Sequence, residues 1–420
     1  MNESNNRLIV IGGGAAGFFC AVNAAATNKQ LKVYVLEKTG KLLSKVKVSG
    51  GGRCNVTHAC FDVVELAKSY PRGYHFVKKS FHHFNTTDTV EWFRKRGVEL
   101  KTEADGRMFP TTDSSDTIIS CLLKEATEHK IEILMNASVD SVEKRGDLFS
   151  VVLQDGRALE AKYVCIACGG FPKTPQFEFI RRLGHTIALP VPSLFTFNLP
   201  GHGIRELMGV SVNPVTIKIA SSKYEQSGPV LITHWGLSGP AVLKLSAWAA
   251  VHLAKVNYNF VIQVNWLHSV SQHALQQQWP DLRNLHSNQQ IGNKNPFGLP
   301  ARLWLFLLRQ SGIAEQTKWS ELGAKPQNLL MKNLTDYTLT VRGKTTFKEE
   351  FVTAGGVSLS SINASTMESK IVANLFFAGE VMDVDGVTGG FNFQHAWTSG
   401  WLAAKNIAGR GEGYDEQDMF

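Results

Sequence analysis

The sequence predicts an α/β fold, in which a parallel sheet with helices is interrupted by a β-barrel-like domain and a small helical domain. At the start of the chain, the apolar run 8–11 leads directly into the glycine-rich segment 12–17, and a helix of small residues follows. A second apolar run, 32–36, gives the next strand. The last third of the chain returns to this pattern with a buried strand over 373–380 and a closing helix over 391–407. One sheet is therefore assembled from both ends of the chain.

The composition is that of a globular protein. The chain has 420 residues, of which 43% are hydrophobic and 19% charged. A net charge of +8 is mild at this length and by itself indicates neither nucleic acid nor an anionic ligand. The six cysteines lack the spacing of a disulfide scaffold, which favours a reducing, cytoplasmic setting. No membrane span is expected, because four glycines interrupt the long uncharged stretch 8–26.

The first glycine segment has the spacing of a dinucleotide-binding turn. Gly12, Gly14 and Gly17 form a complete G-x-G-x-x-G between a strand and a helix. In such a turn the first glycine permits the tight bend, the second lets the backbone approach a pyrophosphate, and the third lets the helix lie close to the strand. Glu37, at the end of the second strand, can accept both ribose hydroxyls of an adenosine. The motif alone does not separate FAD from NAD.

A second glycine cluster follows at 49–55. Three successive glycines let a backbone pass very near a ligand, because no Cβ intervenes. The polar residues after them add hydrogen-bond donors. We interpret the segment as a ligand loop made of Ser49, Gly50, Gly51, Gly52, Arg53, Cys54 and Asn55.

The connection between two sheet strands favours FAD. Three short strands are predicted over 138–144, 149–153 and 157–161, between the parallel strands at 131–134 and 163–168. Such a three-stranded meander is characteristic of FAD folds and absent from the plain NAD repeat. The Cys165-x-x-Cys168 pair lies at this strand. We interpret it as inert, because strand alternation places the two thiols on opposite faces.

The middle of the chain has a different pattern. Strands are predicted over 210–219, 230–233, 258–266 and 337–341, with a helix beginning near Pro240 and a Gln-rich, mostly helical stretch over 268–332. Residues 61–96 are interpreted as helical with a basic, solvated face. Because that face has no accompanying acidic or cysteine ligands, no metal site is expected.

Several motifs resemble one family of bacterial three-domain flavoproteins. These proteins are usually described as NAD(P)/FAD-dependent oxidoreductases, and the family includes aminoacetone oxidases and a bile-acid-dehydroxylation reductase. The matching segments are 12–17, SGGGRCN at 49–55, GRMFP at 106–110, THWGLSGP at 233–240, TAGGV at 353–357, TMESK at 366–370, and 377–394. The resemblance implies an FAD domain over 1–190 and 350–420, a β-rich domain over 191–267 and 333–349, and a helical insertion over 268–332.

The same resemblance implies further cofactor contacts. Glu380 would bind the ribityl chain, as in the Gly-acid motif of this fold class. Cys168 departs from the family, which commonly has Thr there. The contacts implied in addition to the glycine motifs and Glu37 are Ile11, Ala15, Ala16, Lys38, Val139, Ala167, Cys168, Gly169, Gly379, Glu380, Gly389, Gly390, Phe391 and Asn392.

These features predict an FAD-dependent oxidoreductase that moves a hydride between flavin N5 and a small organic substrate. The helix beginning near Gly390 would stabilise the anionic reduced ring with its N-terminal N–H groups. Four residues are candidates for acid–base catalysis: His234, His395, Arg53 and Cys54. None is singled out by its sequence context.

The electron donor and the substrate stay open. No second G-x-G-x-x-G follows a strand in the middle of the chain, so NAD(P)H would act only as a transient donor; a protein donor or oxygen as acceptor are the alternatives. Nucleic acid is not expected as a partner. The rival hypotheses are a flavoprotein acting on tRNA, which a concentrated basic and aromatic surface would favour, and a flavin-bound regulator without turnover.

Overall fold

The computed structural model describes residues 3–345 and 352–410. Its strands are β1 (Arg7–Ile11), β2 (Lys32–Leu36), β3 (Thr57–His58), β4 (Leu100–Thr102), β5 (Arg107–Pro110), β6 (Glu132–Leu134), β7 (Val139–Arg145), β8 (Leu148–Leu153), β9 (Ala158–Ala161), β10 (Tyr163–Ile166), β11 (Ile187–Ser193), β12 (Thr196–Asn198), β13 (Ser211–Ile219), β14 (Glu225–Ile232), β15 (Gly236–Ser238), β16 (Asn259–Asn265), β17 (Tyr337–Arg342), β18 (Lys344–Thr345), β19 (Val352–Val357) and β20 (Leu375–Phe377).

The helices in the same ranges are α1 (Ala15–Thr27), α2 (Ser44–Gly52), α3 (Val63–Ala67), α4 (Tyr74–Phe81), α5 (Thr86–Arg94), α6 (Ser115–Glu128), α7 (Glu178–Arg181), α8 (Pro240–Lys255), α9 (Gln272–Leu285), α10 (Ala301–Gln310), α11 (Ala324–Thr335) and α12 (Phe391–Ala408).

The described residues divide into two compact units. The first lies within Met1–Pro192 and Phe347–Phe420, and the second lies within Ser193–Thr346. The expected boundary between residues 349 and 350 and the expected end of the FAD domain, 411–420, lie outside the described residues.

The first unit contains the predicted parallel sheet. Its order is β20-β10-β1-β2-β6, and the four neighbouring pairs are parallel. The strands are short; β10 and β20 are entirely buried and β1 nearly so, as parallel strands covered by helices must be, whereas the edge strand β6 is only partly buried. The antiparallel meander β7-β8-β9 precedes β10. The predicted α/β class is confirmed. As expected, a strand from the last part of the chain, β20, joins the sheet.

Two predicted elements differ from the structure. The helical stretch expected over 61–96 consists of the separate helices α3, α4 and α5. Gly73 precedes α4 with a left-handed φ of +84°, while Asp62 and Asn85 cap α3 and α5 with their side chains, so each helix starts anew. The strand expected over 373–380 is limited to β20, because Asn374 has a positive φ of 67° and Gly379 one of 73°.

The second unit is a curled sheet packed around one core. The order is β17-β16-β13-β14-β15-β12-β18. Its two end strands are consecutive in the chain and are separated only by Gly343, so the sheet closes on itself. The helical stretch shares the core of this sheet, because Trp279 of α9 and Trp304 of α10 pack in the same buried cluster as Trp266 and Ile262.

Helices α1 and α12 of the first unit cross at a glycine. A Cβ on Gly400 would lie 2.7 Å from the carbonyl oxygen of Ala16 and 3.1 Å from the backbone nitrogen of Cys20. These distances are too short for a side chain. Replacing this glycine therefore requires the two helices to move apart.

We predict that Gly400→Ala destabilises the protein by about 1–3 kcal/mol, because overpacking displaces backbone. In an ordinary helix interior the same change stabilises by about 1 kcal/mol. Urea unfolding gives the free energy of unfolding of both proteins. Gly203→Ala is the matched control, since its Cβ would make only an ordinary 3.7 Å contact with Phe306. Equal stability of Gly400→Ala and the wild type would contradict the crossing described above.

Candidate functional site

Four strands of the parallel sheet end in register. Ile11, the last residue of β1, pairs with Leu36 of β2 and with Ile166 of β10. Ile166 pairs in turn with Phe377 of β20. The segments after these strands therefore begin at one edge of the sheet, which is where open α/β sheets bind ligands. Those segments carry predicted cofactor residues from distant parts of the sequence, among them Gly12, Glu37, Ala167 and Gly379.

The first glycine turn brings backbone against backbone. A Cβ on Gly12 would lie 2.4 Å from the carbonyl oxygen of Ala167, and one on Gly17 would lie 2.0 Å from the carbonyl oxygen of Gly12. Both positions therefore require glycine. Gly14 differs, because no atom lies within 4 Å of its Cβ position. It borders open space at the start of α1, where Ala15 and Ala16 form the first turn.

Glu37 is held beside this turn by three hydrogen bonds. Its Oε2 accepts the N–H of Gly13 at 3.0 Å, and its Oε1 accepts the N–H and the hydroxyl of Thr39 at 2.8 Å each. Oε1 thus accepts two donors and Oε2 one, so Oε2 can accept a further donor. The N–H of Ala137 donates to the Glu37 carbonyl at 2.8 Å, which brings the chain before Val139 to the same place.

The second glycine segment has a left-handed conformation that favours glycine. Gly50, Gly51 and Gly52 have φ values of +58°, +71° and +86°. They lie at the C-terminal end of α2, where the backbone angles of Ser49, Gly50 and Gly51 are not helical. No atom lies within 4 Å of the Cβ positions of Gly51 and Gly52, so this backbone also borders open space.

Asn55 joins the second glycine segment to the start of α12. With its amide oriented to satisfy both partners, the side-chain nitrogen donates to the Thr57 carbonyl and the oxygen accepts the N–H of Gly390, each at 3.0 Å. A Cβ on Gly390 would lie 2.5 Å from the backbone of Thr57. The N-terminus of α12 is therefore fixed against the segment that contains the second glycine cluster.

The Gly-acid motif after β20 is also braced. Glu380 Oε2 lies 2.5 Å from Lys45 Nζ, and its Oε1 accepts the N–H of Thr353 at 2.9 Å. The side chain of Glu380 is only 17% exposed. Gly379 lies against α1, since its Cβ would be 2.8 Å from that of Ala16. An acid at this position is held close to the same helix that follows the first glycine turn.

These residues fit FAD. Both α1 and α12 begin at a glycine N-cap, without a side-chain cap and without an acidic residue in the first turn, so their positive ends are not compensated by side chains. Glu37 would hold the adenosine ribose, the start of α1 the pyrophosphate, Glu380 the ribityl chain, and the start of α12 the isoalloxazine ring.

Asn392 has a structural task in the glycine turn. Its Nδ2 donates to the carbonyl of Gly386 and its Oδ1 accepts the N–H of the same residue, both at 2.9 Å. Phe391 is buried, and its carbonyl accepts the hydroxyl of Tyr70 at 2.6 Å. A contribution of either residue to flavin binding would therefore come from backbone N–H groups.

Two of the four acid–base candidates are held in place. Arg53 lies 2.5 Å from Glu103, and its guanidinium lies over the ring of Phe109 at 4.0 Å. Cys54 is fully buried, and burial raises the pKa of its thiol to about 12. The guanidinium is thus committed to an ion pair, and the thiol is a neutral core group.

The two histidine candidates lie in different units. His395 is 2% exposed in α12, and neither ring nitrogen has a hydrogen-bond partner among the described residues. Burial lowers its pKa to about 4, although the nearby backbone of Gly379 opposes the shift. His234 is exposed in the second unit. Among the described residues, no hydrogen bond joins His395 to the other two candidates of the first unit, Arg53 and Cys54.

The Cys165-x-x-Cys168 pair is not joined by a disulfide. All six cysteines are free. The Cys165 thiol interacts with Cys20 of α1, which raises its pKa along with burial. Cys168 lies beyond the end of β10, where burial raises the pKa of its thiol to about 12 while Lys38 opposes the shift. Neither thiol has the lowered pKa of a redox cysteine.

The structure also shows residues that the sequence interpretation missed. Arg72 forms a bidentate ion pair with the fully buried Asp385. Asp383 accepts the N–H of Gly355 at 3.1 Å, and burial together with Asp385 raises its pKa. His58 stacks on Phe391 with ring centroids 4.6 Å apart. Asp383 and Asp385 alternate with other residues after the Gly-acid motif, and this pattern is the signal that could have identified the two aspartates.

Residues 3–345 and 352–410 contain no group of three or more His, Cys, Asp or Glu side chains that could hold a metal ion. No helix there has the length and apolar character needed to cross a membrane.

The fold and the glycine-lined edge define a Rossmann-type dinucleotide-binding protein with the meander of the FAD class. Residues 6–406 match the family model described as the HI0933-like protein Rossmann domain. The chain belongs to this HI0933-like family, and its relatives support a flavin-dependent oxidoreductase. The resemblance inferred from the motifs is confirmed.

Two relatives are similar over nearly their whole length. The chain is 31% identical over 409 residues to the ribosomal RNA dihydrouridine synthase of Escherichia coli (strain K12), covering 95% of this chain and 97% of the relative. It is 27% identical over 425 residues to the 3-dehydro-bile acid delta(4,6)-reductase of Clostridium scindens, covering 96% of this chain and 100% of the relative.

A solved structure shares the fold. The 3-ketosteroid delta1-dehydrogenase from Sterolibacterium denitrificans, in complex with 1,4-androstadiene-3,17-dione, matches with a TM-score of 0.51 and 13% identity. The match covers 97% of this chain and 100% of that chain. At this identity the likeness concerns the fold alone.

We predict that Glu37→Gln weakens FAD binding by about 1–3 kcal/mol, or roughly 5- to 150-fold in Kd, because a charged acceptor is replaced by an amide whose nitrogen faces other donors. Flavin fluorescence during titration of the apoprotein measures the Kd. Glu160→Gln is the control, since it neutralises an exposed carboxylate on β9. An unchanged Kd for Glu37→Gln would remove this residue from the adenosine site.

We predict that His395 makes folding sensitive to acid. Its pKa is depressed to about 4 in the folded protein, so the unfolded chain binds the proton more readily. The stabilisation is complete above the ordinary pKa near 6.5 and is lost as the pH falls toward 4. Between pH 7.5 and 5 this costs about 2 kcal/mol of unfolding free energy.

Urea unfolding at the two pH values measures the effect. His395→Phe removes the titrating group while keeping an aromatic ring, so its loss of stability over this pH range should be smaller by about the same amount. An identical pH dependence in the variant and the wild type would show that His395 does not control it.

Proposed function

We propose that this protein is an FAD-dependent reductase that saturates the carbon–carbon double bond of a uracil base in ribosomal RNA. The observation that carries this proposal is the full-length similarity to a ribosomal RNA dihydrouridine synthase at 31% identity. The proposal is related to the alternative of a flavoprotein acting on tRNA, because its substrate is also an RNA. It departs from the expectation of a small organic substrate.

The reaction is a two-electron reduction. Dihydrouridine differs from uridine by one hydrogen added to C5 and one to C6. The C5–C6 bond is conjugated with the C4 carbonyl, so a hydride adds at C6 and a proton at C5. FAD, when bound and reduced, supplies the hydride. A reduced nicotinamide must restore the two electrons, and no second nucleotide motif supports a permanent site for it.

The residues of the chain hold the cofactor and favour negative charge on its ring. The compact glycine turn at Gly12 and the carboxylate of Glu37 support the adenosine end. At the other end, Asn55 fixes Gly390 and thereby the uncompensated start of α12. A positive helix end at this position favours negative charge on the reduced ring and so favours accepting electrons from the donor.

No proton donor is assigned among the four acid–base candidates. Cys54 and His395 are buried, and Arg53 is ion-paired. Burial and the neighbouring Asp385 raise the pKa of Asp383, whose carboxylate accepts the N–H of Gly355.

A second candidate is the reduction of a small conjugated ketone. It is favoured by the similarity to the 3-dehydro-bile acid delta(4,6)-reductase, which covers all of that relative. The chemistry is the same, because a carbonyl conjugated with a double bond makes the far carbon electrophilic. The two candidates differ in the size and charge of what must be bound.

We expect the holoenzyme with NADPH or NADH, under anaerobic conditions, to form dihydrouridine in ribosomal RNA purified from cells that lack this gene. Nucleoside mass spectrometry detects the gain of two hydrogens. Glu37→Gln should lose activity at low FAD and regain it with excess FAD, whereas Glu160→Gln should behave as the wild type.

Two results would contradict the proposal. Reduction of a 3-keto-4-ene steroid without any dihydrouridine in the RNA would favour the small-molecule candidate. Failure of both nicotinamides to reduce the bound flavin would exclude the proposed electron source.

A further inference from the structure

The net charge of the protein lies entirely in the second unit. Residues 193–346 contain 14 Lys and Arg against 6 Asp and Glu, a balance of +8. The remaining residues contain 30 of each and are neutral overall. The charge that looked mild over the whole chain is therefore concentrated in about a third of it. Such an asymmetry between units is the electrostatic signature of a polyanionic partner.

The two units also differ in how their basic residues are used. In the first unit many cations are paired with carboxylates, as in Arg96–Glu125 at 2.8 Å and Arg410–Glu368 at 2.6 Å. Within the described residues 193–345, the one ion pair joins Arg309 to Glu315 at 3.9 Å. The positive charge of the second unit is thus left largely uncompensated by its own acids.

Two packed helices carry part of this charge in regular rows. Arg302 and Arg309 are seven residues apart on α10, and Lys325 and Lys332 are seven apart on α11. Seven residues make nearly two turns, so each pair lies on one face with a rise of about 10 Å. All four side chains are exposed. We call these four residues the basic helical surface.

Helices α10 and α11 are held together beside these rows. Asn333 Nδ2 donates to Ser311 Oγ at 3.0 Å, and Lys332 and Arg309 are their near neighbours in sequence. Arg302 is braced by the carbonyls of Met208 and Glu206, at 3.2 and 2.5 Å. A braced guanidinium loses less side-chain entropy when it binds an anion.

Most apolar residues of both helices are already buried, whereas Leu329 of α11 is 41% exposed and does not by itself form an apolar face. Leu303, Trp304 and Leu307 of α10, like Leu330 and Leu334 of α11, lie in the buried core. The helices therefore present cations and amides outward, with Gln310 and Asn328 exposed beside the charged rows. This composition suits phosphates and ribose hydroxyls better than a lipid bilayer, which would require an apolar face.

We propose that the basic helical surface binds the phosphate backbone of folded ribosomal RNA. This inference rests on the proposed function and extends it, because it assigns RNA docking to the second unit and leaves the cofactor to the first. Contacts to phosphates are independent of sequence, so the surface would add affinity and orientation and would not choose the base.

The test uses the holoenzyme and ribosomal RNA purified from cells that lack this gene, in filter binding over a range of salt concentrations. The variant is the combination Arg302→Gln, Arg309→Gln, Lys325→Gln and Lys332→Gln. Each lost phosphate contact lowers the slope of log K against log salt by about 1, so we expect a decrease of roughly 3–4 and a clear loss of affinity at low salt.

The matched control removes four exposed cations of the first unit that are ion-paired, namely Arg94, Arg145, Arg157 and Arg181, each changed to Gln. It changes the net charge equally and should keep most of the RNA affinity. Flavin content and the rate of flavin reduction by the nicotinamide should match the wild type in both variants, which shows that the first unit is intact, and an unchanged urea unfolding curve shows that the second unit is folded.

The outcomes separate this inference from the proposed function. If the salt slope of the helical variant is unchanged, or if both variants lose RNA affinity equally, the basic helical surface does not bind the RNA. Tight binding to vesicles containing phosphatidylserine with no binding to RNA would also overturn the inference. RNA binding can be weakened in the helical variant alone even if the wild-type protein forms no dihydrouridine. That result would support RNA binding by the basic helical surface and would contradict the proposed reaction.

Discussion

The first unit depends on a contact that only glycine permits, the packing of α1 against its neighbours without side chains between them. Gly12 touches the backbone after β10, Gly17 touches Gly12, and Gly400 of α12 touches Ala16, each closer than any Cβ would allow. Gly379 approaches the same helix from the end of β20. These contacts fix the start of α1 at the edge where the parallel strands end, and they keep its N–H groups clear for a ligand.

The electrostatics of the site follow from this arrangement. Neither α1 nor α12 has an acidic residue in its first turn, so both retain a positive end. The two acids expected to contact the cofactor lie near the start of α1 and are held by other groups. Glu37 is tied to Gly13 and Thr39, and Glu380 is tied to Lys45 and Thr353. Each carboxylate is thereby kept in one orientation.

Much of the first unit could be predicted because its signals are local. The run into Gly12–Gly17, the meander and the strand containing Cys165 each carry their pattern within a few residues. Contacts between distant segments carry no such signal. The pairing of Asn55 with Gly390, of Lys45 with Glu380 and of Arg72 with Asp385 depends on how the chain returns to the sheet, which spacing along the sequence does not reveal.

The contrast between local and long-range signals also explains why some predicted elements differ from the structure. The stretch 61–96 has helical composition throughout, yet Gly73 and the capping side chains of Asp62 and Asn85 divide it. Caps stabilise helix starts by about 1 kcal/mol each, enough to outweigh a weak propensity for one long helix. Similarly, His395 seemed available for acid–base chemistry, but packing of α12 buries its ring.

The similarity to relatives with different substrates makes substrate recognition a separate question from cofactor binding. A ribosomal RNA dihydrouridine synthase and a bile-acid reductase are both similar to this chain over nearly its whole length. Both names describe reductive chemistry on an unsaturated ring, which one flavin arrangement can serve. What must differ is the recognition of a large polyanion or a compact hydrophobic ring system. In this chain the unit carrying the cofactor motifs is electrically neutral and the other is strongly basic. If the second unit recognises the substrate as proposed, substrate recognition can change while the glycine contacts of the first unit stay fixed.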